Sequence, residues 1–149
     1  PKMNITYPNV KKEASFKGVS LGRCAKVKNY MICPDGVQYE DAKKSCEVLG
    51  GKLASFENKK HYEEVMQWLP KILKRRIWLP ITDSKQEGTW VGLDKRPLDF
   101  NFWMANEPND YGKGEDCAEI RLWRKTPNWN DISCDSKLAF MCELKKDSH

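Results

Sequence analysis

Six cysteines stand in a chain of 149 residues, at positions 24, 33, 46, 117, 134 and 142, and they limit the folds open to it more than any other feature. That density in a small domain argues for an oxidising compartment, where disulfides form and persist. None is spaced as a CxxC pair, which argues against a zinc ribbon or a thioredoxin-type redox motif. Six cysteines allow many pairings, and spacing alone does not choose among them. One pairing has local support: Cys24 and Cys33 flank Lys28-Asn29-Tyr30, a segment suited to a small hairpin. The length fits one domain, and no apolar run approaches the roughly 18 residues of a membrane-spanning helix. Asn4-Ile5-Thr6 is an acceptor sequon for N-glycosylation. No signal peptide is visible, and the chain opens at Pro1 without an initiator Met, which fits a processed product. A secreted, extracellular protein glycosylated at Asn4 is the expectation.

Residues 1–22 are polar and irregular and read as an N-terminal extension or the end of a linker. The folded domain is expected over 23–145, with 146–149 as a tail. Tyr39, Ala42, Cys46 and Leu49 share one face at helical spacing, and Gly50-Gly51 stops that helix. Lys52 to Ser55 reads as a short strand. Tyr62, Val65, Met66 and Leu69 give a second helical stripe, capped by Asn58 and ended by Pro70. Ile77 to Ile81 reads as a buried strand whose Pro80 favours an edge or a bulge. Thr89 to Val91 is a further short strand. From Gly92 to Asp116 turn formers dominate, and a loop of that length in a compact domain is usually functional or disordered. Phe100, Phe102 and Trp103 argue for order. Cys117–Arg121, Trp129–Asp131 and Leu138–Glu143 read as closing strands. Two early helices, late short strands and a long ordered loop make a mixed α+β domain.

The long loop carries the chemistry. Glu107-Pro108-Asn109-Asp110, Glu115-Asp116-Cys117 and Trp129-Asn130-Asp131 gather carboxylates and carboxamides between cysteines. Hard oxygen donors at this density suit Ca²⁺, which takes about six to eight oxygens in flexible geometry. They suit zinc less well, since it prefers nitrogen and sulfur, and the two histidines, His61 and His149, are far away in sequence. Net charge is +5. Its densest basic run, Lys71, Lys74, Arg75 and Arg76, reads either as a patch for anionic polymers or as a solvated connection. Nothing in the sequence supports nucleic-acid binding.

This arrangement resembles the C-type lectin domain over about Arg23 to Glu143. Cys46, Cys117, Cys134 and Cys142 match the four core cysteines of that family in order and spacing. The resemblance implies disulfides Cys46–Cys142 and Cys117–Cys134, with Cys24–Cys33 as the extra pair of the long form. Trp78-Leu79-Pro80-Ile81 sits where the family has Trp-Ile-Gly-Leu, so Pro80 departs from the pattern. Gln38 stands where a Ser or Thr helix cap is common. Glu107-Pro108-Asn109 looks like the EPN motif and Trp129-Asn130-Asp131 like the WND motif of mannose-type members, and the family has a cis bond before this proline.

The resemblance implies a sugar-binding calcium held by Glu107, Asn109, Glu115, Asn130 and Asp131. Three carboxylates outweigh the dication, and two amides add neutral oxygens. Two vicinal sugar hydroxyls would complete the shell, donating to Glu107 and Glu115 and accepting from the Asn109 and Asn130 amides. An auxiliary calcium is implied at Asp83, Glu87, Asp110 and Asp116 with Glu115, bracing the loop. Its competing reading leaves Asp83 and Glu87 as solvated turn residues. Tyr111 is placed to touch the sugar. Trp123 and Arg124, in a longer segment between Cys117 and Trp129, are read either as a secondary subsite or as packing and solvent. Trp68, Trp90, Trp103 and Trp129 read as core.

The resemblance implies mannose, N-acetylglucosamine or fucose on glycoproteins or microbial surfaces as ligands, because galactose binders carry Gln-Pro-Asp instead. The alternative is a lectin-like domain whose ligand is a protein or an anionic surface. An enzyme has little support, since neither HExxH nor a Gly-x-Ser-x-Gly elbow occurs. An oligomer would serve avidity, but no collagen repeat or heptad run indicates one.

Overall fold

The computed structural model describes residues 23–109 and 114–145. Ten elements follow in chain order: β1 (Ala25–Val27), β2 (Tyr30–Val37), α1 (Tyr39–Val48), β3 (Lys52–Leu53), α2 (Lys59–Ile72), β4 (Arg76–Thr82), β5 (Val91–Gly92), β6 (Cys117–Arg121), β7 (Trp129–Ile132) and β8 (Leu138–Glu143). The main strand order is β1-β2-β8-β4-β6-β7, with β3 added to β8 and β5 to β4. All these pairings are antiparallel except β4 with β8, which meet in parallel at Ile77 and Ala139. This is the α+β arrangement expected.

Both helices form where their apolar spacing requires. Helix α1 buries Tyr39, Ala42, Ser45 and Cys46, and its first residue is preceded by Gln38, whose side chain makes no capping bond. Gly50, at φ +80°, turns the chain out. Helix α2 is capped by Asn58, whose Oδ1 accepts from the His61 backbone at 2.8 Å. Pro70 does not end α2, which runs on to Ile72. A proline in the last turn removes one N–H, and the next turn still closes, with Leu73 N–H donating to the Leu69 carbonyl at 3.0 Å. Both leucines are buried, which holds that turn to the core.

The strands differ from expectation in extent rather than identity. Only Lys52–Leu53 of the expected Lys52–Ser55 strand enters the ladder, although Ala54 N–H still donates to Met141. Pro80 lies in an interior strand, and the register between β4 and β6 shifts between Leu79 and Thr82. The bulge removes the need for a ladder N–H at the proline. The short strand near Trp90 starts at Val91.

All three disulfides pair as the resemblance implied: Cys24–Cys33, Cys46–Cys142 and Cys117–Cys134. Cys46–Cys142 fastens α1 to β8 across 96 residues. By chain-entropy reasoning that closure is worth about 4–5 kcal/mol. Two packed clusters form the core, one around Tyr62, Leu79 and Trp129, the other around Trp78, Cys46 and Phe140. Phe100, Phe102 and Trp103 pack against the first and order the long loop as expected.

Candidate functional site

The loop after β5 is anchored to β7 by its own backbone. Asn128 and Trp129 N–H donate to the Phe102 carbonyl at 2.9 Å each, and Met104 N–H donates to Trp129 at 2.9 Å. Beneath them Tyr62 donates to Asn128 Oδ1 at 2.7 Å and accepts from Trp129 Nε1 at 2.9 Å. The anchored loop brings Glu107 and Asn109 against the end of β7. The Glu107–Pro108 peptide is cis, as the family pattern implied. Asn109 N–H donates to Asp131 Oδ1 at 3.1 Å.

Glu107 is the electrostatic centre of this cluster. Burial, a side-chain hydrogen bond with Asp131 and the nearby charges of Asp131 and Glu115 raise its pKa to about 7, against a small opposing effect from Arg121. Its Oε1 is buried and has no hydrogen-bond partner among the described residues. Asp131 is buried, and Asn130 is 9% exposed. Carboxylates crowded this way, one with an unpartnered oxygen, are short of positive charge, and a hard cation would supply it. The five members of the group, all among the described residues, therefore fit Ca²⁺ by donor type and charge.

A second acidic group lies at the end of β4. Carboxylate oxygens of Asp83, Glu87 and Asp116 lie within 4.8 Å of one another. Asp83 is buried, which rules out the solvated-turn reading for it. One of its oxygens accepts from Gly88 N–H at 2.9 Å, while Oδ1 is buried without a hydrogen-bond partner among the described residues. Asp116 is held by its carbonyl, which accepts from Thr82 Oγ1 at 2.7 Å and from Asp83 N–H at 3.2 Å. Glu115 and Asp116 are adjacent in sequence, so the two groups share one stretch of chain. Asp110, Tyr111 and Asn4 lie outside the described residues.

One buried group escaped the sequence reading. Glu119 on β6 is fully buried and forms two hydrogen bonds with Arg76, from Nε to Oε1 and from Nη2 to Oε2, the latter at 2.7 Å. Arg76 thus leaves the basic run and joins the sheet, while Lys71, Lys74 and Arg75 remain exposed. The available signal was an acid in the middle of an otherwise apolar strand, Cys117-Ala118-Glu119-Ile120, which demands a buried partner.

The tryptophans divide. Trp90 and Trp129 are buried, and Trp68 and Trp103 pack against the core. Trp123 is 54% exposed, so the packing reading fails for it. It borders an open groove with Met66, Pro70, Lys74, Arg124 and Lys125. No helix among the described residues is long and apolar enough to cross a membrane.

Comparison with known proteins matches residues 35–144 to the Lectin C-type domain family. Collectin-10 of Xenopus tropicalis is 30% identical over 97% of this chain and 53% of that protein. The low affinity immunoglobulin epsilon Fc receptor of Mus musculus is 33% identical over 85% of this chain and 39% of the receptor. The chain thus spans about half or less of these relatives. Among solved structures, the cow C-type carbohydrate-recognition domain of CD23, determined in the presence of a GlcNAc2Man3 oligosaccharide, is 26% identical. It aligns with a TM-score of 0.67 over 83% of this chain and 94% of that one. The human scavenger receptor C-type lectin domain is 27% identical, with a TM-score of 0.67 over 83% and 96%.

Proposed function

This chain belongs to the C-type lectin domain family, whose members bind carbohydrate without enzymatic turnover, and we propose that it is a secreted, calcium-dependent lectin for mannose-type sugars. Its sugar-site calcium would be held by Glu107, Asn109, Glu115, Asn130 and Asp131. The observation that carries the reading is Glu107: a carboxylate crowded by Asp131 and Glu115, with a buried oxygen that lacks a partner, at the first position of the EPN motif. The bound ion would supply two coordination positions for a pair of sugar hydroxyls. The protein's own part is to exclude wrong geometries, with carboxylates accepting from those hydroxyls and amides donating to them.

The order of donors favours mannose, N-acetylglucosamine or fucose over galactose, since Glu107 and Asn109 stand in the mannose-type order. A second calcium at Asp83, Glu87 and Asp116, with Asp110 and Glu115, would brace the loop. The clustered oxygens of the first three support it, as does the unpartnered Asp83 Oδ1. Glycoproteins and microbial surfaces are the proposed partners, and three disulfides support an extracellular setting. The experiment that tests this function is capture on mannose-agarose with and without EDTA. Retention released by EDTA and by free mannose, but not by galactose, supports it. Retention indifferent to EDTA contradicts it.

A further inference from the structure

Asn130 is committed on one side before any ion arrives. Its Nδ2 donates to Glu119 Oε2 at 2.7 Å, and the two residues face each other directly across the β6–β7 ladder. Glu119 is buried, and Asn130 nearly so. A carboxylate held by arginines can only accept, so the arm of the Asn130 amide that meets it must be nitrogen. A half-turn of the amide would set Oδ1 against Oε2, two buried acceptors with no hydrogen between them. The amide is planar with oxygen and nitrogen on separate arms, so holding the nitrogen also fixes the oxygen on the other arm. One of the two Nδ2 hydrogens remains for another acceptor.

Arg76 and Arg121 hold Glu119 itself. Arg76 makes the paired bonds described above, and Arg121 Nη2 lies 3.6 Å from Oε2. Arg76 and Arg121 are register partners between β4 and β6, so the two cations bracket the buried charge. Such pairing offsets the cost of a carboxylate inside a sheet. Without Glu119, the Asn130 amide would lose the acceptor that fixes which of its arms carries nitrogen.

We propose that Glu119 is a positioning residue for the calcium site, fixing the Asn130 amide so that Oδ1 is the arm offered to the ion. This rests on the reading of Asn130 as a calcium ligand, and it extends the site beyond the ligand set to Glu119, Arg76 and Arg121. Partners of this kind commonly set metal affinity by about tenfold or more.

The test uses three variants and two readouts, calcium affinity by calorimetry and the melting temperature of the calcium-free protein. Arg76→Met with Glu119→Leu removes the acceptor together with the cation bonded to it, leaving Arg121, whose side chain is one-third exposed, to solvent. Glu119→Gln keeps an acceptor oxygen for the amide. Asn130→Ala removes the ligand. The expected result is a calcium affinity about tenfold weaker in a double variant that still folds, its apo melting temperature lowered by the unpaired Asn130 amide, with Glu119→Gln within about threefold of the parent. A double variant that binds calcium like the parent, while Asn130→Ala weakens it, overturns the positioning role alone. An Asn130→Ala variant with unchanged calcium affinity overturns the ligand reading beneath it. Should the double variant fail to fold, the side-chain amide signals of Asn130 in the calcium-free parent decide. One Nδ2 hydrogen protected from exchange is expected, and two freely exchanging hydrogens contradict the proposal.

Discussion

The backbone N–H of Asn109 donates to Asp131 Oδ1 at 3.1 Å, tying the long loop to β7 across 22 residues of sequence. The bond sets residues of the EPN and WND motifs side by side. It also leaves the Glu107 carboxylate crowded against the Asp131 carboxylate in the absence of metal. Binding of a cation and order of this loop are therefore linked quantities.

Calcium is expected to stabilise the domain. An ion that binds only the folded state adds about 2.7 kcal/mol at a hundredfold excess over its Kd. For a domain of this size that is on the order of 10 °C in melting temperature. Differential scanning calorimetry with calcium and then with excess EDTA measures it, and identical melts would contradict calcium binding at either acidic group.

The calcium-free protein should lose stability as pH rises. Glu107 is raised from its ordinary 4.5 to about 7. Between those values the folded apo protein keeps a proton that the unfolded chain has released, so stability falls as pH climbs through the window. Below the ordinary value both states are protonated and the difference vanishes. Because Glu107 is only partly buried, solvent screening trims the effect. Melting in EDTA at about pH 5 and pH 7.5, set against Glu107→Gln, isolates it: the parent should decline more than the variant.

The loaded protein should show the opposite trend. The ion must displace the proton on Glu107, so calcium and sugar affinity fall together as pH drops below about 7. At low millimolar calcium, sugar binding should fail near pH 5. Calorimetry in buffers of different ionisation enthalpy should also register proton release on calcium binding near neutrality. Equal affinity at both pH values would count against the five-residue ligand set.

Tyr62→Phe should destabilise the fold by roughly 1–3 kcal/mol, because Asn128 Oδ1 and Trp129 Nε1 both lose a buried partner. Chemical denaturation measures it. Tyr62 sits beneath the loop rather than in the ligand set, so sugar specificity at low temperature should persist.

Much of this was legible in the chain itself. Asn58 caps its helix, the three closing strands fall where they are expected, β7 running one residue further to Ile132, and the cysteine order carries the disulfides once the family resemblance is seen. Of the two prolines, only Pro70 departs from expectation. Pro70 was read as a stop, yet two buried leucines carried the helix past it. Pro80 was read as an edge or a bulge, and the bulge proved to lie in an interior strand. Glu119 was missed because its meaning depends on Arg76, 43 residues earlier, and on Asn130 across the ladder. Local pattern does not carry that kind of information. The exposure of Trp123 was likewise set by how a loop turns.

The most direct test of the central claim is a two-step calorimetric titration, calcium first and then mannose or galactose, on the parent and on Glu107→Gln with Asn109→Asp. Calcium uptake followed by mannose binding in the parent, with mannose lost from the variant, is the predicted result. Absence of calcium uptake by the parent, or calcium uptake with no response to mannose, would contradict it.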